Sequence, residues 1–181
     1  MFSEFFCGCL YFVQRVVYQT RSPLRYPGGK TRACKKLEEI FSQYFDISQI
    51  KTIISPFLGG ASFEFFMQNK YGISIIANDK FTPLYNFWMI CKHNNETLCD
   101  MLHDHFNTGV SKQQFSAYRN CIMDTTDALQ QSVYYFLINR CSFSGSTLSG
   151  GYSENSSKNR FTQSSIEGTC AEPFCIRNLQ L

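Results

Sequence analysis

Residues 51–79, KTIISPFLGGASFEFFMQNKYGISIIAND, decide the fold. The opening KTIIS (51–55) is short, β-branched and closed by Pro56, so it reads as a buried strand. PFLGGAS (56–62) is a glycine turn, and FEFFMQNKYG (63–72) reads as a short helix that stops at Gly72. ISIIA (73–77) is a second strand, ended by Asn78 and Asp79. Strand, turn, helix and strand within about thirty residues make a βαβ unit, whose right-handed crossover requires a parallel sheet. The fold class that follows is α/β.

Outward from this unit the pattern is helical. Upstream, Ala33, Leu37, Ile40, Phe41 and Tyr44 recur at helix spacing, behind the turn-rich RSPLRYPGGKTR (21–32). Downstream, Leu84, Tyr85, Trp88 and Met89 place a helix over 81–92, and Leu98, Met101, Leu102 and Phe106 predict another. The strongest helical stretch runs from Asp124 to Arg140, with Asp124 as N-cap, Asp127 in its first turn, and Leu129, Val133, Phe136 and Leu137 on the core face. Residues 141–169 are rich in Ser, Gly and Asn and read as a long, polar, mobile loop. The last stretch, GTCAEPFCIRNLQL (168–181), shows no recognisable pattern. Two strands cannot cover both faces of a parallel sheet. Either the helical half hides more β structure or the chain is incomplete.

The chain has 181 residues, enough for one domain with a substantial core, and 18 Phe with 10 Tyr exclude a disordered or collagen-like polymer. A net charge of +3 permits a nucleic-acid partner without announcing one. The nine cysteines are odd in number and contain no CxxC, so a reduced, intracellular protein without a metal site is the simpler expectation. Residues 1–20 are apolar and aromatic, yet Glu4 opens them and Gln14 and Arg15 interrupt them before a membrane span accumulates. They read as an extra strand or helix packing onto the domain, as a poorly ordered extension, or as a start-site artefact, and no stable membrane association is expected.

Two turns carry candidate chemistry. Gly59 and Gly60 follow the first strand, where a parallel sheet presents its carboxyl edge and the next helix its N-terminus to a ligand. Asp79 closes the second strand twenty residues later, where an acid accepts hydrogen bonds from ribose hydroxyls. The turn is neither GxGxxG nor a phosphate-binding P-loop. The plainer alternative is that the glycines only turn the chain while Asp79 caps the next helix. Upstream, Arg25-Tyr26-Pro27-Gly28-Gly29-Lys30 can set an ammonium beside a carboxylate with Tyr26 as an aromatic wall, or it is a surface turn with a solvated lysine.

Taken in order, Ser22–Lys30 (SPLRYPGGK), Ser55–Ser62 (SPFLGGAS), Ala77-Asn78-Asp79 and Tyr135–Gly145 (YFLINRCSFSG) resemble the opening motifs of the Dam-type DNA adenine-specific methyltransferases. The resemblance implies a Rossmann-like methyltransferase fold, S-adenosylmethionine as cofactor, double-stranded DNA as partner, and methyl transfer to the exocyclic amine of adenine. It implies cofactor contacts from Tyr26, Lys30, Phe57, Gly59, Gly60, Ser62 and Asp79, with Lys30 near the carboxylate and Asp79 on the ribose. It also implies DNA contacts from Arg119, Arg140, Tyr152, Lys158 and Arg160. On this basis the chain divides into an extension (1–20), a cofactor-binding part (21–94), a helical DNA-recognition region (95–167) and an atypical tail (168–181).

One motif of that family is missing. Its amine-positioning Asp/Asn-Pro-Pro-Tyr does not occur, because the five prolines are Pro23, Pro27, Pro56, Pro83 and Pro173, none adjacent to another. No catalytic residue is assigned; Asn139 is the least implausible stand-in. The function the resemblance implies is a site-specific DNA adenine methyltransferase; the alternative is a catalytically inactive, apparently truncated fragment retaining at most cofactor or DNA binding, and for this chain by itself no methyl transfer is expected. The DNA sequence, a restriction endonuclease partner and the oligomeric state are not legible.

Overall fold

The computed structural model describes residues 22–170 and 179–180. Strand β1 (Thr52–Ser55) and strand β2 (Ser74–Ala77) run parallel, with Ile53 opposite Ile75 and Ile54 opposite Ile76. Helix α2 (Ser62–Tyr71) connects them and ends on Gly72, whose φ of 70° supplies the left-handed cap. The βαβ reading of 51–79 matches in every element. A third strand, β3 (Leu179–Gln180), pairs parallel with β2 and gives the order β1-β2-β3. The tail read as patternless thus contributes a strand. Two paired residues are too short to generate a periodic signal in sequence.

Helix α1 (Cys34–Tyr44) precedes the sheet. Of its expected apolar face, Ile40 is 43 % and Tyr44 76 % exposed, so the described residues leave much of that face uncovered. Downstream come α3 (Thr82–His93), α4 (Asn95–Thr108), α5 (Lys112–Cys121) and α6 (Ala128–Cys141). The core lies where α3 meets α6: Leu84, Phe87 and Trp88 pack with Val133, Phe136 and Leu137, all fully buried. Phe87 stacks on Phe136 at 5.9 Å between centroids, and each such buried side chain stabilises the fold by about 1.5–3 kcal/mol. Helix α6 starts later than expected. Asp127, not Asp124, is its N-cap and accepts from the Gln130 N–H at 2.6 Å.

The expected mobile loop over 141–169 is instead ordered structure. A 3-10 turn (Phe143–Gly145) leads to α7 (Glu154–Arg160) and α8 (Gln163–Cys170). The serines that suggested a loop act as caps: Ser153 accepts from the Ser156 N–H at 3.1 Å, and Thr162 exchanges bonds with Ser165. The expectation of uniformly reduced cysteines also needs correction. α4 packs on α8 with Cys99 and Cys170 at a Cα separation of 5.9 Å, and the two form a disulfide, while Cys34, Cys91, Cys121 and Cys141 are free. Among the described residues no helix is long and apolar enough to cross a membrane. Residues 1–20, expected as an extension, lie outside the described residues, as does most of the tail. The whole is a small parallel sheet flanked by helices, consistent with a partial Rossmann-like methyltransferase core.

Candidate functional site

The chain leaves β1 at Ser55 and turns through Leu58, Gly59 and Gly60 into α2, at the carboxyl edge of the sheet. Three long-range bonds fix this turn. The Leu58 N–H donates to the Asn78 carbonyl oxygen at 2.9 Å, the Gly59 N–H to Asp79 Oδ2 at 2.8 Å, and Trp88 Nε1 to the Gly59 carbonyl oxygen at 3.1 Å. Asp79 Oδ1 meanwhile accepts from the Phe81 N–H at 3.0 Å, ahead of α3. Asp79 therefore ties the glycine turn to the end of β2 and holds the N–H of Phe81, the N-cap residue of α3, with one carboxylate; the helix itself has no side-chain cap. Each oxygen keeps a further lone pair.

The glycines serve a purpose the sequence did not disclose. A Cβ on Gly60 would stand 2.7 Å from Tyr26 Cβ, and one on Gly59 3.0 Å from the Tyr26 ring. What approaches the bare backbone is the tyrosine of the upstream turn, so the two glycine turns form one assembly. Gly29 closes that upstream turn by donating to the Tyr26 carbonyl oxygen at 2.8 Å. Burial, and next the Asp79 charge, raise the Tyr26 phenol above its ordinary value.

Around this assembly opens a cleft of about 590 Å³. Tyr26, Lys30, Phe57, Gly59, Gly60, Ser62 and Asp79, the seven residues singled out from sequence, all line it. Phe57 stands 82 % exposed at its rim. Lys30 is exposed, with Nζ donating to the Gly28 carbonyl oxygen at 2.7 Å and two further N–H groups in hand. Buried Ser62 opens α2 and accepts from Thr31 Oγ1 at 3.0 Å. Glu64, which sequence reasoning missed, also lines the cleft and accepts from Ser55 Oγ at 2.7 Å. Trp88 was counted as core alone; as the chain's single Trp, its buried N–H needed an acceptor, which was the available signal.

A second cavity, about 240 Å³, shares Tyr26 and Pro27 with the first and is walled by Phe81, Tyr135, Thr147 and Leu148. Burial, with Tyr26 and Asp79 adding to it, drives the Tyr135 phenol well above its usual range. Asn139 lies behind this wall and is fully buried. Its Oδ1 accepts from the Arg25 N–H at 3.0 Å, and its Nδ2 donates to the carbonyl oxygens of Arg25 at 2.7 Å and Gly145 at 3.0 Å. With its amide used up inside the fold, Asn139 is not a free amine-binding group.

The residues named as DNA contacts lie on α5 (Arg119), α6 (Arg140), the segment before α7 (Tyr152) and α7 (Lys158, Arg160), and differ in what they are bonded to. Arg119 donates to the Gly150 carbonyl oxygen at 2.8 Å, Tyr152 to that of Val110 at 3.1 Å, and Lys158 pairs with Glu154 at 2.7 Å. Arg140 is largely buried over the Phe136 ring and donates to the Pro23 carbonyl oxygen. Arg160 is exposed at the end of α7.

The cleft gathers several polar groups at one edge of the sheet. It lies at the carboxyl ends of parallel strands, with a helix N-terminus, a carboxylate with spare acceptor capacity and a mobile-length ammonium along one groove. With the parallel sheet and its flanking helices, they are consistent with a partial Rossmann-like core. Residues 26–169 match the family of D12 class N6 adenine-specific DNA methyltransferases, and the chain belongs to that family. A comparison with curated proteins returns no match.

Proposed function

We propose that this chain holds S-adenosylmethionine in the 590 Å³ cleft and sets its helical side, from about residue 95 to 167, against double-stranded DNA. The observation that carries the reading is the convergence of Tyr26, Lys30, Ser62 and Asp79 on one groove, although they span more than fifty residues of sequence. Lys30 pairs with the amino-acid carboxylate of the cofactor. Asp79 accepts from the ribose hydroxyls through the lone pairs its backbone donors leave free. Tyr26 and Phe57 supply the aromatic walls. When bound, the cofactor supplies a methyl group on a sulfonium, electrophilic enough to need little further activation.

What the chemistry needs beyond this is a held target amine, and positioning of that kind accounts for several kcal/mol of barrier. The Asp/Asn-Pro-Pro-Tyr segment that does so in the family is not among these 181 residues. The function proposed for the chain by itself is accordingly cofactor and DNA binding within an adenine-methylating system, without transfer by these residues alone.

Equilibrium dialysis of the purified chain against labelled S-adenosylmethionine tests the first part. Lys30→Ala, which removes an exposed side chain, is expected to weaken binding at least tenfold with an unchanged melting temperature; equal affinity refutes the cleft assignment. Incubation with unmethylated duplex tests the second. Multiple-turnover labelling of adenine, lost in Asp79→Ala, would show that transfer does not need the missing segment.

A further inference from the structure

Of the described residues that line the 590 Å³ cleft, three are charged: Lys30, Glu64 and Asp79. Lys30 and Asp79 have parts in the reading above, and Glu64 has none. It sits in the first turn of α2, half-buried, with Oε1 accepting from Ser55 Oγ at 2.7 Å. Ser55 ends β1 and is itself buried, so the carboxylate is tethered to the edge of the sheet. A carboxylate has about four acceptor sites, and this bond uses one.

The start of α2 belongs to the Lys30 end of the cleft. Thr31 Oγ1 donates to Ser62 Oγ at 3.0 Å, and Cys34 Sγ reaches the carbonyl oxygens of Lys30 at 3.2 Å and of Ser62 at 3.4 Å. The segment that carries Lys30 is thereby fastened to the residue two before Glu64. Asp79 lies on the other side of the glycine turn, where each of its oxygens already holds a backbone N–H. One ammonium and one carboxylate therefore serve the α2 end of the cleft, and the second carboxylate serves the β2 end. A bare helix N-terminus favours an anion. An acid in its first turn offsets that preference, so this end suits a ligand that carries a cation beside its anion.

We propose that Glu64 takes the α-ammonium of the cofactor's amino-acid end and makes the cleft selective for nucleosides that carry an intact α-amino acid. The inference rests on the S-adenosylmethionine reading above and deepens it by one residue and one specificity. The charges then match group by group: ligand carboxylate to Lys30, ribose hydroxyls to Asp79, ammonium to Glu64. An ammonium offers three N–H donors and no acceptor, so a carboxylate is the side chain that holds it by charge and hydrogen bond together. A nucleoside that lacks the ammonium covers Glu64 without supplying a counter-charge, and an uncompensated covered charge is costly. Ser55 is a positioning residue, because its hydroxyl fixes the carboxylate on one oxygen and leaves the other for the ligand.

The test compares two ligands by isothermal titration calorimetry on the full chain. One is S-adenosylhomocysteine, the cofactor without its methyl group; the other is its deaminated analogue, with hydrogen in place of the α-ammonium. Wild type is expected to hold S-adenosylhomocysteine about tenfold more tightly than the analogue, as for one charge-assisted hydrogen bond. Glu64→Gln keeps the shape and an acceptor for Ser55 Oγ and loses the charge. It should weaken S-adenosylhomocysteine about tenfold and change the analogue less than about twofold, so that discrimination largely disappears. A role confined to the helix and Ser55 would weaken both ligands alike, or lower the melting temperature alone, and either result overturns the assignment. Discrimination in Glu64→Gln equal to that of wild type also overturns it and leaves the cleft reading standing. Should Glu64→Gln fail to fold, the wild-type pair decides, since equal affinity for the two ligands overturns the ammonium seat. No binding of either ligand by wild type overturns the cleft reading itself.

Discussion

Replacing Asn139 by alanine tests how the cofactor arm is held. The side chain is fully buried and makes three hydrogen bonds, accepting from the Arg25 N–H and donating to the carbonyl oxygens of Arg25 and Gly145. Each such bond stabilises by about 1 kcal/mol net, and its loss here strands a backbone group that cannot reach water easily. Asn139→Ala should therefore cost about 3 kcal/mol. In a chain of this length that is a fall of roughly 6–12 °C in melting temperature. Asn139→Asp is the sharper variant. It keeps the acceptor for the Arg25 N–H but sets carboxylate oxygens against two carbonyls, so it should be no more stable than the alanine. Urea denaturation followed by fluorescence of Trp88, the chain's single tryptophan, gives the free energies directly. A loss below about 1 kcal/mol for Asn139→Ala, or an aspartate variant as stable as wild type, would refute the clamp.

Gly60→Ala is expected to cost about 1–3 kcal/mol by overpacking, since the new methyl meets Tyr26 Cβ at 2.7 Å; in a Tyr26→Gly background, which removes that Cβ, the same change should cost under half as much, and equal costs would show that Tyr26 is not the obstacle. Burial pushes the Cys141 thiol from 9.0 up to about 11, so the folded state keeps a proton that the unfolded chain sheds. Stability from this group is complete below pH 9 and declines as pH rises toward 11, a decline that Cys141→Ala should lessen in melting curves taken at pH 8, 9.5 and 10.5. For the same reason Cys141 should resist iodoacetamide at pH 8 in the native protein, which peptide mapping reads out. The Cys99–Cys170 disulfide closes 71 residues, a loop for which chain entropy predicts about 4 kcal/mol; dithiothreitol should lower the melting temperature in wild type and leave Cys99→Ser unaffected.

The βαβ unit was legible because every local signal agreed. β-branched runs, a glycine turn and a helix stopped by Gly72 all point to one answer, and the pairing of β1 with β2 follows from it. The cleft was legible for a related reason: parallel strands deliver the ends of β1 and β2 to the same edge, so Gly59 and Asp79 had to be neighbours. The losses came where the deciding partner is remote. Helices α7 and α8 carry serines that cap helices when a neighbour supplies the rest of the packing and form loops when none does. Their sequence is the same in both cases. Helix α5 did carry a local signature, the capping box in which Ser111 and Gln114 satisfy each other's backbone, and a search for Ser-x-x-Gln finds it. Asn139 was weighed as a chemical group because its setting was unknown; its three backbone partners make it a fastener.

That fastener changes how the two candidate surfaces relate. Arg25 and Tyr26 are adjacent in sequence, yet Arg25 is bonded to α6, the segment after it and α7, while Tyr26 packs into the glycine turn after β1. The peptide between them is thus held on one side by the helical region and on the other by the cofactor cleft. Gly145, at the far end of the clamp, has a φ of 80°, and a Cβ there would stand 2.8 Å from Arg25 Cβ. The approach is so close that little independent movement of the two surfaces is possible without breaking the Asn139 bonds. DNA set against the helical region would act, through α6 and α7, on the peptide that carries Tyr26, and a ligand that moves Tyr26 would act on Arg25 and the helices it is bonded to. By linkage the effect is reciprocal: whatever factor duplex DNA adds to cofactor affinity, cofactor adds to duplex affinity. Measuring both affinities with and without the other ligand, in wild type and in Asn139→Ala, should give a coupling factor that falls toward one in the variant. A factor unchanged by Asn139→Ala would mean that the two sites communicate, if they do, by another route.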